Sequence, residues 1–168
     1  MPTPDGNQPV TTTKTELYRR LVGQLRGLLL GQRDLVANAA NTAALIYHTL
    51  PELSWAGFYL LKGDQLLLGP FQGKPACTRI AVGKGVCGKA AEKLRTIVVE
   101  NVHDFPGHIA CDAASNSEMV VPVVSQEGRL IGLLDLDSPL LARFDAEDQI
   151  GLEGLVEVFV AATDVDLG

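Results

Sequence analysis

Cys77, Cys87 and Cys111 are the residues of this chain whose type and spacing most directly suggest chemistry. They are its only cysteines, and they lie close together in a sequence that is typical of a cytosolic protein. In a reducing compartment, grouped thiols serve redox catalysis or metal binding more often than permanent disulfides. No Cys-x-x-Cys pair is present, so the short spacing of most zinc sites is missing. The cysteines therefore predict a thiol oxidoreductase.

Cys87 and Cys77 occupy different local settings. Cys87 falls in the first turn of a short predicted helix, where free backbone N–H groups and the nearby Lys84 and Lys89 favour a thiolate. A small buried apolar residue is an equally good interpretation, because free cysteine is often buried. Cys77 precedes a predicted strand and is expected to be half exposed. That position suits a resolving thiol or an ordinary strand residue.

Cys111 lies in a long segment without regular structure, a setting in which functional residues are common. Its small neighbours are expected to leave the sulfur accessible, and His103 and His108 could lower its pKa. Cys111 is therefore the predicted nucleophile. Three cysteines and two histidines between positions 77 and 111 also permit a zinc site, but their long, uneven separations argue against one.

Three acidic residues and two aromatic residues form a second group with chemical potential. Asp135 and Asp137 alternate along a predicted strand, so both should point to one face, and Glu118 begins the preceding strand. Together these acids could bind an ammonium group or share a proton. Trp55 and Tyr59 share a face of the first strand. They are either core residues or an apolar surface against which an S-methyl group could pack.

Residues 83–88 match the pattern G-x-G-x-x-G between a predicted strand and a helix, with Glu100 and Asp104 downstream. Such a motif marks a dinucleotide site only when it opens a βαβ unit. The strands around it instead read as antiparallel hairpins. The motif therefore predicts a tight glycine turn that leads into a helix, and no nucleotide site is expected.

Helices are predicted at both ends of the chain and at one position within the sheet. The helix that begins at Thr13 carries its apolar stripe on five leucines, which are Leu17, Leu21, Leu25, Leu28 and Leu29. The other predicted helices are Arg33 to Leu50, Val86 to Leu94, and Asp145, a plausible N-cap, towards Val165.

Strand patterns and turn residues fill the middle of the chain. The predicted strands are Trp55 to Leu61, Gln65 to Phe71, Thr78 to Val82, Thr96 to Glu100, Glu118 to Val124 and Leu130 to Asp137. Glycine turns join two pairs of them as hairpins. The sequence therefore predicts an α+β domain with a mainly antiparallel sheet.

Composition narrows the class of protein further. The 168 residues are 46% hydrophobic and 20% charged, with a net charge of −6, which is typical of one globular domain. The negative charge argues against nucleic acid as a partner, and no stretch of about 18 apolar residues suggests a membrane helix. We expect a cytoplasmic protein without a signal peptide. Residues 1–12 are predicted to be a flexible tail before a single domain at 13–168.

Five segments carry a specific combination of these residues. They are WAGFYL at 55–60, GPFQGKPAC at 69–77, GVCG at 85–88, HDFPGHIACD at 103–112 and LDSP at 136–139. In these segments the chain strongly resembles the free methionine-(R)-sulfoxide reductases, a family of stand-alone GAF-domain enzymes. The resemblance extends over about residues 35–155. It implies a GAF fold, a six-stranded and largely antiparallel sheet between helices, and commonly a homodimer.

The resemblance also implies an activity and a set of roles. The activity is reduction of free methionine-(R)-sulfoxide, with thioredoxin as the usual reductant and with no metal or organic cofactor. Cys111 would be the catalytic cysteine, Cys77 the principal resolving one, and Cys87 a secondary thiol. The substrate pocket would be lined by Trp55, Tyr59, Glu118, Asp135 and Asp137. The alternative is a sensory GAF module that binds a small molecule without chemistry.

Overall fold

Residues 12–109, 111 and 113–165 are described by the structure, a computed structural model, and they form four α-helices and six strands. The helices are α1 (Lys14–Leu29), α2 (Leu35–Thr49), α3 (Gly85–Lys93) and α4 (Ala146–Ala162). The strands are β1 (Trp55–Lys62), β2 (Gln65–Gly73), β3 (Arg79–Ala81), β4 (Ile97–Val99), β5 (Ser117–Val124) and β6 (Leu130–Ser138). Most of the predicted tail lies outside the described residues. None of the described helices has the length and apolar character needed to cross a membrane.

Polar side chains set the starts of the three long helices. Thr13 caps α1, Asp34 caps α2, and Asp145 caps α4 by accepting hydrogen bonds from backbone N–H groups of the first turn. Asp148 completes a capping box at α4 by accepting a hydrogen bond from the Asp145 backbone. The start of α3, after Lys84, has no side-chain cap. The predicted N-cap at Asp145 is confirmed.

The six strands form one sheet in the order β3-β2-β1-β6-β5-β4, and every pairing in it is antiparallel. The two predicted hairpins, β1–β2 and β5–β6, are both present, and β1 pairs with β6 in the centre. The chain thus has the predicted α+β class and largely antiparallel six-stranded sheet. No βαβ unit is present among the described strands, so residues 83–88 form the expected glycine turn before α3.

The two faces of the sheet carry different structures. Helices α2 and α4 pack on one face, and α1 packs against them. Phe58, Met119 and Leu134 point into this core. On the opposite face, α3 packs against β3, β5 and β6, and the neighbouring residues Tyr59 and Leu133 point there. Alternation along each strand therefore divides the sequence between a helical core and a second face that can hold a site.

Two details of the helices differ from the prediction. Leu28, which the pattern assigns to the buried stripe of α1, is 46% exposed. The buried stripe instead follows a spacing of four residues, with Leu21, Leu25 and Leu29, and begins at Tyr18. Helix α4 ends at Ala162 instead of continuing towards Val165, because the backbone becomes extended at its C-cap.

Candidate functional site

A pocket opens on the α3 face of the sheet and is lined by all but one of the residues predicted to form the site. Strands β1, β5 and β6 form its floor, and α3 and the two cysteine-bearing segments form its sides. The lining residues are Trp55, Tyr59, Pro75, Ala76, Ile80, Lys84, Gly85, Val86, Cys87, His108, Ile109, Cys111, Ser115, Glu118, Asp135 and Asp137. Cys77 is the predicted residue outside this lining, but it is bonded to Cys111 at the pocket.

Cys77 and Cys111 form a disulfide between two irregular segments. Their Cα atoms are 5.5 Å apart, within the normal range for a bridge, although the residues are 34 positions apart in sequence. Cys77 is half-buried between β2 and β3, as predicted, and Cys111 lies in the segment before β5. The bond links the two thiols to which the family resemblance gives the nucleophilic and resolving roles. It also leaves Cys87 as the free cysteine.

Cys87 is buried at the base of the pocket and is not a thiolate. Burial raises the pKa of its thiol well above the usual value, and the charges of Asp135 and Glu118 add to that effect. The expectation that Lys84 and the helix N-terminus favour a thiolate is therefore wrong. Lys84 is exposed, whereas the acids lie beside the sulfur, with Glu118 Oε1 3.9 Å from Sγ. The alternative interpretation of Cys87, as a small buried residue under a glycine turn, describes its environment correctly.

The three predicted acids converge through strand register. Glu118 is paired with Asp137 across β5 and β6, and Asp135 lies two residues away on the same face. Burial, followed by the charges of Asp135 and Asp137, raises the pKa of Glu118 well above its usual value. Burial also raises the pKa of Asp135 to about 6, although hydrogen bonds with Glu118 and Cys87 oppose this shift. The pocket therefore holds carboxyl groups whose protonated forms are favoured by burial and by the charges of their neighbours.

Trp55 and Tyr59 stack on each other and support the segment that carries Cys77. Their ring centroids are 5.9 Å apart, and Phe71 also stacks on Trp55, with a centroid distance of 5.2 Å. Trp55 Nε1 donates a hydrogen bond to the Lys74 carbonyl at 3.1 Å, and Tyr59 Oη donates one to the Cys77 carbonyl at 2.9 Å. The two aromatic residues thus combine an apolar pocket surface with direct positioning of the disulfide segment.

A glycine makes this aromatic arrangement possible. A Cβ atom on Gly57 would lie 2.7 Å from the Trp55 ring and would also overlap Phe71. Real Cβ atoms do not approach other atoms so closely, so any side chain at position 57 would displace the aromatic stack.

Of the two histidines predicted to lie near Cys111, one lines the pocket and the other does not. His108 lines the pocket, and burial, together with the nearby His103, lowers its pKa, so it is neutral near pH 7. His103 is not in the lining, and its Nε2 atom instead lies 3.1 Å from Asn116 Oδ1.

Ser115 is a pocket residue that the sequence analysis missed. It is buried in the pocket, and its hydroxyl has no hydrogen-bond partner among the described residues. Nothing in its local sequence distinguishes it from other loop serines.

The described residues do not bring the three cysteines and the two histidines together as one set of possible metal ligands. Two of the thiols are joined to each other, and His103 points elsewhere. In the described residues, one group of side chains could hold a metal ion, and it consists of Cys87, Glu118 and Asp135.

Comparisons with known proteins agree with this architecture. The GAF domain model matches residues 36–164. The free methionine-R-sulfoxide reductase of Escherichia coli K12 is 51% identical over 154 residues, which cover 90% of this chain and 93% of that protein. The protein of the same name from Saccharomyces cerevisiae is 41% identical over 159 residues, which cover 90% and 88%.

A solved structure adds a match in three dimensions. The free methionine-R-sulfoxide reductase from Neisseria meningitidis, solved in complex with its substrate, has a TM-score of 0.86 and 45% identity. The match covers 90% of this chain and 91% of that chain. The chain is a GAF-domain protein and belongs to the free methionine-(R)-sulfoxide reductase family.

Proposed function

We propose that this protein reduces free methionine-(R)-sulfoxide to methionine. The observation that carries the proposal is the Cys77–Cys111 disulfide beside a pocket that also holds Glu118, Asp135 and Asp137. A sulfoxide reductase needs a nucleophilic thiol, a second thiol that can trap its oxidised form, and an acid that can protonate the sulfoxide oxygen. Family membership independently favours the same activity.

Cys111 performs the first step as the nucleophile. Its thiolate attacks the sulfoxide sulfur while Glu118 or Asp137 donates a proton to the oxygen. The S–O bond of the substrate breaks and its oxygen passes to the Cys111 sulfur. Methionine leaves with its sulfur reduced by two electrons, and Cys111 becomes a sulfenic acid. The raised pKa of Glu118 supports its part as the acid, because burial favours the protonated form of the carboxyl group.

Cys77 completes the cycle as the resolving thiol. It attacks the Cys111 sulfur, the S–O bond breaks, water leaves, and a disulfide forms. Thioredoxin then reduces this bond by exchange through a mixed disulfide. Cys87 has a secondary role, since its buried position and raised pKa disfavour the thiolate that rapid exchange requires.

Asp135 and the aromatic residues select the substrate. Asp135 holds the ammonium group, which a residue inside a peptide lacks, and this accounts for a preference for the free amino acid. Trp55 and Tyr59 pack against the S-methyl group. We further propose that residues 13–168 form one GAF domain, that the protein works as a cytoplasmic homodimer, and that it requires no cofactor.

A coupled assay tests the activity. NADPH oxidation through thioredoxin reductase and thioredoxin is followed with separate R and S isomers of free methionine sulfoxide. We expect oxidation with the R isomer only. A chain that binds the R isomer without consuming NADPH would instead be the sensory module.

Two cysteine variants test the roles of the thiols. Cys111→Ser should lose turnover completely, whereas Cys77→Ser should release about one methionine per chain and then stop with thioredoxin as reductant. Quantifying methionine after single and multiple turnovers separates the two variants. Continued recycling by Cys77→Ser would transfer the resolving role to Cys87.

A further inference from the structure

Three buried groups from three different elements place metal-binding atoms close together at the base of the pocket. Cys87 comes from α3, Glu118 from β5 and Asp135 from β6. One sulfur or oxygen atom of each lies within 4.8 Å of the others, and all three side chains are buried. The Cys87 Sγ to Glu118 Oε1 distance is 3.9 Å, close to the separation of about 3.5 Å that tetrahedral zinc imposes on sulfur and oxygen ligands.

One buried oxygen atom of this group lacks a hydrogen-bond partner. Asp135 is 6% exposed, and its Oδ1 atom has no hydrogen-bond partner among the described residues. No ion pair in the described part of the chain includes Glu118 or Asp135. Buried carboxyl groups are normally paired with a positive charge or a metal, so an unpartnered buried oxygen that faces a pocket points to a ligand.

We propose that Cys87, Glu118 and Asp135 form a binding site for a thiophilic divalent cation such as Zn²⁺. A soft sulfur ligand combined with two carboxylates suits zinc or cobalt, whereas magnesium and calcium prefer oxygen ligands alone. Three protein ligands leave the fourth position open to the pocket. The cation therefore occupies the place of the substrate and blocks the site reversibly.

A bound cation excludes the substrate from the pocket, and this consequence rests on the proposed function. The ion takes Asp135, which would hold the substrate ammonium, and Glu118, which would protonate the sulfoxide oxygen. Metal and substrate cannot use these carboxyl groups together. Metal binding by itself does not depend on the proposed activity.

The experiment uses the oxidised chain, in which the Cys77–Cys111 bond leaves Cys87 as the free thiol. Co²⁺ serves as the probe because a thiolate bound to Co²⁺ gives a charge-transfer absorption band. Titration in the absence of reductant should produce this band with about one equivalent of bound metal, and EDTA should remove it. Binding without the band would place the metal away from Cys87 and overturn the proposal.

Matched variants identify the ligands. Cys87→Ser should abolish the band, and Glu118→Gln and Asp135→Asn should each weaken Co²⁺ binding by at least about tenfold. Each replacement preserves side-chain size, and circular dichroism confirms folding. Asp64→Asn, at an exposed turn, is the control and should bind Co²⁺ normally. Unchanged binding by both carboxyl variants would exclude the site.

Competition is measured on the same oxidised protein, which cannot turn over without reductant. Adding methionine-(R)-sulfoxide should displace Co²⁺ and reduce the band in proportion to substrate occupancy. If the band is retained at saturating substrate, metal and substrate bind together, and the proposal that the metal excludes the substrate is wrong. Activity of the EDTA-treated enzyme towards the R isomer is assayed separately, so failure of the metal site and failure of the proposed function are distinguishable.

Discussion

At the scale of single residues, burial determines the chemical character of the pocket more than local sequence does. Glu118 and Asp135 are both 6% exposed, and Cys87 is 5% exposed. Their ionised forms are disfavoured because water is excluded and because they share the same small space. These residues therefore lower the free energy of unfolding at neutral pH.

Asp135→Asn tests this relation between function and stability. Because the folded-state pKa of Asp135 is about 6 and its ordinary value is 3.8, the protonated carboxyl group stabilises the fold at low pH. That contribution is lost as the pH rises through about 6. The variant should therefore gain stability relative to the wild type between pH 4 and pH 8, on the order of 2–3 kcal/mol.

Urea unfolding of the oxidised proteins at both pH values gives the measurement. Asp64→Asn is the control, because Asp64 is exposed in the turn between β1 and β2. A difference between Asp135→Asn and wild type that stays constant with pH would show that burial does not protonate this carboxyl group.

At the scale of elements, close packing between α1 and α4 depends on one small residue. Gly151 of α4 is buried against the ring of Tyr18 from α1, and a Cβ atom there would overlap three ring carbons. Gly154, one turn further along the same helix, has open space for 4 Å around the position that a methyl group would take. Alanine substitutions at these two positions therefore separate the effect of packing on stability from the effect of helix propensity.

Gly151→Ala and Gly154→Ala should change stability in opposite directions. Alanine at 154 should stabilise the protein by about 0.5–1 kcal/mol, because glycine has the greater backbone entropy to lose. Alanine at 151 should destabilise it by about 1–3 kcal/mol through overlap with Tyr18. Urea unfolding measures both, and equal stabilisation by both substitutions would contradict the close contact.

At the scale of the whole molecule, one buried carboxylate connects the beginning of the described chain to its last helix. Asp148 accepts hydrogen bonds from Tyr18 Oη at 2.6 Å, from Lys14 Nζ at 2.7 Å and from Arg143 Nη1 at 3.3 Å. Arg143 also donates to the Pro51 carbonyl through Nε and Nη2. Asp148 is 1% exposed, so its partners would be left without an equivalent acceptor if it were replaced.

Asp148→Asn should destabilise the protein by about 2–4 kcal/mol, because it leaves the positive charge of Arg143 poorly compensated in a buried position. Asp164→Asn is the matched control. The Asp164 pair with Arg33 is exposed on both sides and should contribute less than about 1 kcal/mol. Thermal unfolding compares the two variants, and similar losses would contradict a special role for Asp148.

The sequence by itself determined the elements and part of the site, because these depend on local pattern. Alternation along β6 placed Asp135 and Asp137 on one face, and the hairpin signals brought Glu118 beside them. The glycine turn at 83–88 and the N-cap at Asp145 follow from backbone preferences that operate within a few residues.

Only the tertiary structure decided the properties that depend on distant neighbours. The pKa of Cys87 is raised first by burial and then by the charges of Asp135 and Glu118, which lie on two later strands. The positions of His103 and Ser115 likewise depend on tertiary contacts: His103 Nε2 lies 3.1 Å from Asn116 Oδ1, and Ser115 is buried in the pocket. Local pattern determines which face a side chain takes, whereas solvent exclusion and long-range approach determine its charge and its partners.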